Sequence, residues 1–144
     1  MMAQGSFVDA FMDPGLGRNA RLEAIAALID WTPIAALAGK VRTSETGRPP
    51  YPPLAMLKAL YLAALYDLSD VALEESLSDR LSFRSFIGLA LDQTTPDATT
   101  ICRFRSAAIE AGVIEQTFNA VTAQIEAKGL VLKKGTLLDA TIVA

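Results

Sequence analysis

The chain has 144 residues, 51% hydrophobic and 20% charged, with a formal net charge of −3, which suits one globular domain, or a small domain and part of another. It holds no histidine and one cysteine, Cys102, excluding a histidine base, a Ser-His-Asp triad, a zinc site built from histidine or several cysteines, and an internal disulfide. The acidic balance gives no basic footprint, so any DNA contact has to come from a few well-placed arginines.

The 24 alanines and 19 leucines favour helix. Gly5, Pro14, Gly15 and Gly17 make residues 1–18 read as irregular, with room for a short turn at Phe7–Met12. No secretory signal is legible there, and a cytoplasmic location is expected. Asn19 is placed to cap a helix running to about Ile29, with Leu22, Ile25, Ala26 and Ile29 three and four apart. Thr32-Pro33 reads as the cap and first helical position of a short segment ending at Gly39. Four prolines with Thr43, Ser44, Gly47 and Arg48 make 40–53 a loop.

From Leu54 to Tyr66 the sequence is apolar almost all round, which predicts a helix buried on most sides, within the domain or against a partner. Its 13 residues include Lys58 and are too few to cross a bilayer, so no membrane association is expected. Ser69 caps a helix over Asp70–Ser78 with Val71, Leu73 and Leu77 as its core stripe. A short helix follows over Leu81–Ile87, closed by Gly88, then a polar loop from Leu89 to Pro96. Asp97 caps a helix from Ala98 to Ala111, ended by Gly112. The last helix, Val113 to Lys128, carries Ile114, Phe118, Val121 and Ile125 as its apolar stripe and stops at Gly129.

Beyond Gly129 the period changes. Leu130-Val131-Leu132 and Thr136–Val143 read as strands separated by Lys133-Lys134-Gly135. A two-stranded ribbon is marginal alone, and the second run is as apolar as a strand buried on both faces. The expected organisation is an irregular start over 1–18, a helical domain over 19–128, and, over 129–144, the first strand of a further domain whose remainder is missing.

Helix geometry selects the residues able to act. At about 100° per residue, Ile101, Phe104, Ala108 and Ala111 share one face of the Ala98–Ala111 helix, and Thr99, Arg103, Ser106 and Glu110 the opposite one. Arg103 can there reach a phosphate or a guanine edge, with Thr99 and Ser106 as hydroxyl donors. A solvated amphipathic helix explains the same pattern without DNA. Arg105 flanks the core and suits a structural ion pair with Asp97 or Glu110. Arg84 and Arg80 are further candidates for contacts to a DNA backbone, beside ordinary surface roles. Asp139 is a carboxylate inside an apolar strand, costly unless paired or bound to a cation such as magnesium; an exposed position at a strand end is the alternative.

Five segments in order carry a resemblance. They are Gly47-Arg48-Pro49-Pro50-Tyr51-Pro52-Pro53-Leu54; Leu60-Tyr61-Leu62 with Leu65-Tyr66-Asp67-Leu68-Ser69-Asp70; Asp79 through Leu89; Pro96 through Arg105; and Gly135 through Val143. Together they resemble the amino-terminal part of bacterial insertion-sequence transposases of the insertion-sequence-five group, over about residues 20–144. The resemblance implies DNA-mediated transposition, a catalytic domain of ribonuclease-H-like fold, an Asp-Asp-Glu triad and magnesium. Asp139 matches the first triad carboxylate; the other two have no counterpart here, so this chain alone is expected to be inactive in strand cleavage and to hold no magnesium firmly. Ala98 stands where many relatives have histidine.

The expected fold is therefore mainly α, a multi-helix domain with a helix-turn-helix-like segment and a short C-terminal β element. Its expected partners are double-stranded DNA at the element's terminal repeats and further copies of itself in a homo-oligomer. The rival reading is a helical protein–protein assembly module, in which the Leu54–Tyr66 helix serves self-association. A stand-alone transcription regulator would leave the strand of Asp139 without purpose.

Overall fold

The computed structural model describes residues 18–41, 51–133 and 136–139. The irregular start, most of the proline-rich loop with Gly47–Pro50, Lys134-Gly135 and the run Ala140–Val143 lie outside the described residues. The architecture is mainly helical, with seven helices in the described part.

Helix α1 (Ala20–Leu28) begins where the Asn19 side chain accepts the Leu22 N–H at 3.1 Å, relieving one of the orphan donors of a helix start. Leu22, Ile25 and Ile29 turn inward. In helix α2 (Thr32–Ala38) Trp31 occupies the cap position, so Thr32 is already helical and does not cap. The Asp30 carboxylate accepts the Thr32 N–H instead, at 3.1 Å, because a short acceptor two residues upstream reaches that donor directly. Pro33 follows in the first turn, where its missing N–H costs nothing. The corner between the two helices is tied to α7 (Val113–Ala127). There the Gln124 amide accepts the Asp30 N–H at 2.6 Å and donates to the Asp30 carbonyl at 2.9 Å.

Helix α3 (Pro53–Tyr66) is the centre. Ala55, Met56, Leu57 and the run Ala59 to Ala63 are buried, covered by α2, α4 (Asp70–Asp79), α5 (Leu81–Ile87), α6 (Ala98–Glu110) and α7. Most of the all-round apolar sequence is thus consumed within the domain, while Ala64 stays exposed. Asp67, left-handed at φ 56°, turns the chain out of α3, and the Leu68 N–H returns to the Ala63 carbonyl at 2.8 Å.

Two expected faces are corrected. On α4, Leu73 and Leu77 are fully buried but Val71 is 58% exposed. Val71 lies about 200° from Leu73 around the helix, so the two cannot share a stripe. On α7 the inward seam is Val113, Thr117, Val121 and Ile125, one position off the expected stripe at its start. Ile114 and Phe118 sit half-buried at its rim. Thr117 passes for polar in a hydropathy pattern, yet its small side chain suits the close approach, while Phe118 meets the Tyr61 ring edge-on from the rim at 5.7 Å.

The polar loop after α5 also starts later than expected, since Leu89 is buried. Gly88 takes φ 92° and the Leu89 N–H bonds back to the Arg84 carbonyl at 2.9 Å. This closure folds the following apolar side chain onto the helix it ends. Pro96 at the far end of the loop is buried too. After α7, strands β1 (Leu130–Lys133) and β2 (Thr136–Asp139) pair antiparallel, with Leu130 opposite Asp139 and Lys133 opposite Thr136.

Candidate nucleic-acid interface

The exposed face of α6 is held in place at its start and at its middle. Asp97, extended at φ −89° and ψ 173°, accepts the Thr100 N–H at 2.8 Å. Glu74, on α4, accepts the Ala98 N–H at 2.9 Å. Two of the four orphan donors at the helix start are therefore bonded to carboxylates. The bonds from the Thr100 backbone and hydroxyl hold the Asp97 carboxyl below the usual carboxylate range, and the charge of Arg103 adds to this.

Farther along, Ile101, Phe104 and Ala108 are buried and Ala111 half-buried. Thr99, Cys102, Arg103, Ser106 and Glu110 are exposed. Arg105 forms its ion pair with Asp70 in the first turn of α4, not with Asp97 or Glu110 as expected. Asp97 is committed to capping, and Glu110, five residues on, lies about 140° away around the helix. The pairs Glu74–Ala98 and Asp70–Arg105 lay α4 antiparallel along α6 and fix which side of α6 faces outward.

Arg84 is used by its own neighbourhood. Its Nη1 donates to the carbonyls of Ala90, Leu91 and Gln93 at 3.3, 3.1 and 3.0 Å, and the Gln93 side chain accepts the Ala90 N–H at 2.7 Å. The arginine thus braces the loop leading to α6. Arg80 lies over the Phe83 ring at 5.1 Å. Asp139 closes β2 opposite Leu130. Among the described residues no three Cys, Asp or Glu side chains gather as a metal site.

One feature escaped sequence reasoning. An open groove of about 310 Å³ runs between α3, α6 and α7, with Ala64, Ile109, Ile114 and Phe118 on its walls. Ile109 is 61% exposed. Its walls come from three helices, so no single periodicity announces it.

The family model of the transposase domain (DUF772) matches residues 12–107, more than half of the chain. The chain belongs to this transposase domain family. No solved structure matches it. The matched stretch of the transposase domain runs from before α1 through most of α6, including the doubly bonded helix start, Arg103, and both partners of the Asp70–Arg105 pair. Helix α7 and the strand pair lie beyond it. No helix among the described residues is long and apolar enough to cross a membrane.

Proposed function

We propose that this transposase domain acts in DNA-mediated transposition by binding duplex DNA at the element's ends, as the amino-terminal part of an Asp-Asp-Glu transposase of the insertion-sequence-five group. The observation that supports this best is the outer face of α6, where Arg103 and Ser106 are exposed on a helix whose rotation is pinned by α4. In this reading α4, α5 and α6 form a helix-turn-helix-like unit with α6 as the reading helix. The link from α5 to α6 spans residues 88–97, longer than the usual turn of about 3–4 residues, and its bracing by Arg84 takes the place of a tight turn. Titration of a labelled duplex at several salt concentrations tests the reading. Arg103→Ala is expected to weaken binding and to flatten the salt slope by about one unit. Equal binding by parent and variant at every salt concentration would sink it.

Asp139 belongs to the same proposal as the first carboxylate of a ribonuclease-H-like catalytic domain that begins with β1 and β2. Magnesium there would activate the attacking oxygen and stabilise the leaving one, with further carboxylates needed to hold it. Asp139→Asn is expected to leave DNA binding unchanged.

The groove of Ala64, Ile109, Ile114 and Phe118 favours a second reading, an assembly surface without direct DNA contact. Under that reading Ile109→Asp alters the mass measured by light scattering, and Arg103→Ala has no effect on duplex binding.

A further inference from the structure

Resting on the reading of α6 as the DNA-contacting helix, we infer that α6 meets the duplex through its middle turns, at Arg103 and Ser106, while Glu74 and Asp97 hold its first turn away from the phosphates. An unoccupied helix start attracts phosphate through its free N–H groups and a partial charge of about +0.5. Here the Ala98 N–H is bonded to Glu74 at 2.9 Å and the Thr100 N–H to Asp97 at 2.8 Å. The two carboxylates outweigh that partial charge, so a phosphate is repelled where helix-turn-helix proteins make their first contacts.

Thr99 sits between the two N–H groups so bonded and feels this repulsion most on the outer face. Arg103 lies four residues on, about 6 Å along the axis, and Ser106 three further on the same side. The helix cannot roll to a different presentation, because Asp70 grips Arg105 while Glu74 grips Ala98. The geometry makes the two carboxylates specificity-determining residues: they select which turns of α6 approach DNA.

Anisotropy titrations of a mixed-sequence duplex over a salt series test this with Thr99→Ala, Ser106→Ala, Arg103→Ala and the double variant Glu74→Gln/Asp97→Asn. Gln and Asn keep the hydrogen-bond acceptors, and Asn caps as well as Asp, so the helix start is preserved. Thr99→Ala is expected to bind within about twofold of the parent, and Ser106→Ala and Arg103→Ala more weakly by several-fold. The double variant should bind more tightly, with a salt slope steeper by up to about one unit, as the first turn gains a phosphate contact. Glu115→Gln/Glu126→Gln on α7, which removes the same charge from exposed positions, should not steepen the slope. A loss in Thr99→Ala matching that in Ser106→Ala, or a first-turn double variant behaving like the α7 control, overturns this inference while the Arg103 result still upholds DNA binding. A parent without duplex affinity, or with affinity equal to that of Arg103→Ala, overturns the DNA reading and this inference with it.

Discussion

At the scale of single residues, two buried hydroxyls stand out. Thr117 and Tyr61 are almost wholly buried, and neither oxygen has a hydrogen-bond partner among the described residues. A buried hydroxyl without a partner is destabilising, whereas an apolar group of the same shape is not. Thr117→Val should therefore raise stability by about 1 kcal/mol, read as a higher denaturation midpoint at unchanged slope; a lower midpoint would mean that Thr117 has a partner after all. Burial pushes the Tyr61 hydroxyl up to about 12 from an ordinary 10.0. The contribution of a raised group is intact below its unfolded value and disappears as pH rises through the folded one. Tyr61→Phe should remove the part of the alkaline stability loss that falls between these values. Asp97 carries the opposite sign. Its carboxyl is held below 3.8, so its contribution is complete above that pH and is lost as pH falls below it. Asp97→Asn should flatten this acid limb, checked by denaturation midpoints from about pH 5 to pH 2.

At the scale of elements, the assignment of faces is open to a direct comparison. Leu73 is fully buried on α4 while Val71, two positions away, is 58% exposed. Leu73→Ala is expected to cost about 2–5 kcal/mol, and Val71→Ala less than about 0.5 kcal/mol. Similar costs for both would show that α4 is rotated from its described orientation. The cap at the start of α4 is worth a smaller amount. Ser69 accepts the Ala72 N–H at 3.1 Å, and Ser69→Ala should cost about 1 kcal/mol. Helix α3 is buried on more than one side. Apolar side chains surround it, and Leu57→Ala and Leu62→Ala, on different sides of the helix, should both be severe because both sites are closed by neighbouring helices.

At the scale of the whole molecule, the proposed function has to operate against a net charge of −3. Long-range attraction gives no help, so duplex binding should show a shallow salt dependence set by a few contacts near α6. A slope of many units would point to a basic surface elsewhere on the chain. The internal use of cations fits the shallow expectation. Among the described residues Arg18 pairs with Glu23 and Arg105 with Asp70, while Lys58 lies over the rings of Trp31 and Phe86 at 4.5 and 5.8 Å. Arg84 bonds the carbonyls of its own loop.

Local signals made much of this protein legible in advance. Asn19, Ser69 and Asp97 cap because a short polar side chain before an apolar run reaches the nearest free N–H groups, an interaction spanning only a few residues. Gly88 and Gly112 end their helices because a left-handed residue there has little strain without a Cβ. The opposed faces of α6 follow from the helical period, which places Ile101, Phe104 and Ala108 inward and Arg103 and Ser106 outward. Tertiary structure decided what depends on partners distant in the chain. Asp70 rather than Asp97 or Glu110 meets Arg105, because α4 and α6 run antiparallel and bring position 70 to position 105. Glu74 reaches the start of α6 for the same reason, and nothing near it in sequence announces that role. Thr117 is buried and Val71 exposed because neighbouring helices select which side of each helix is covered. The groove beside Ile109 exists only where three helices converge. A short-range rule sets each helix and its ends, but the choice of contacts between helices is settled when their surfaces compete for the same core.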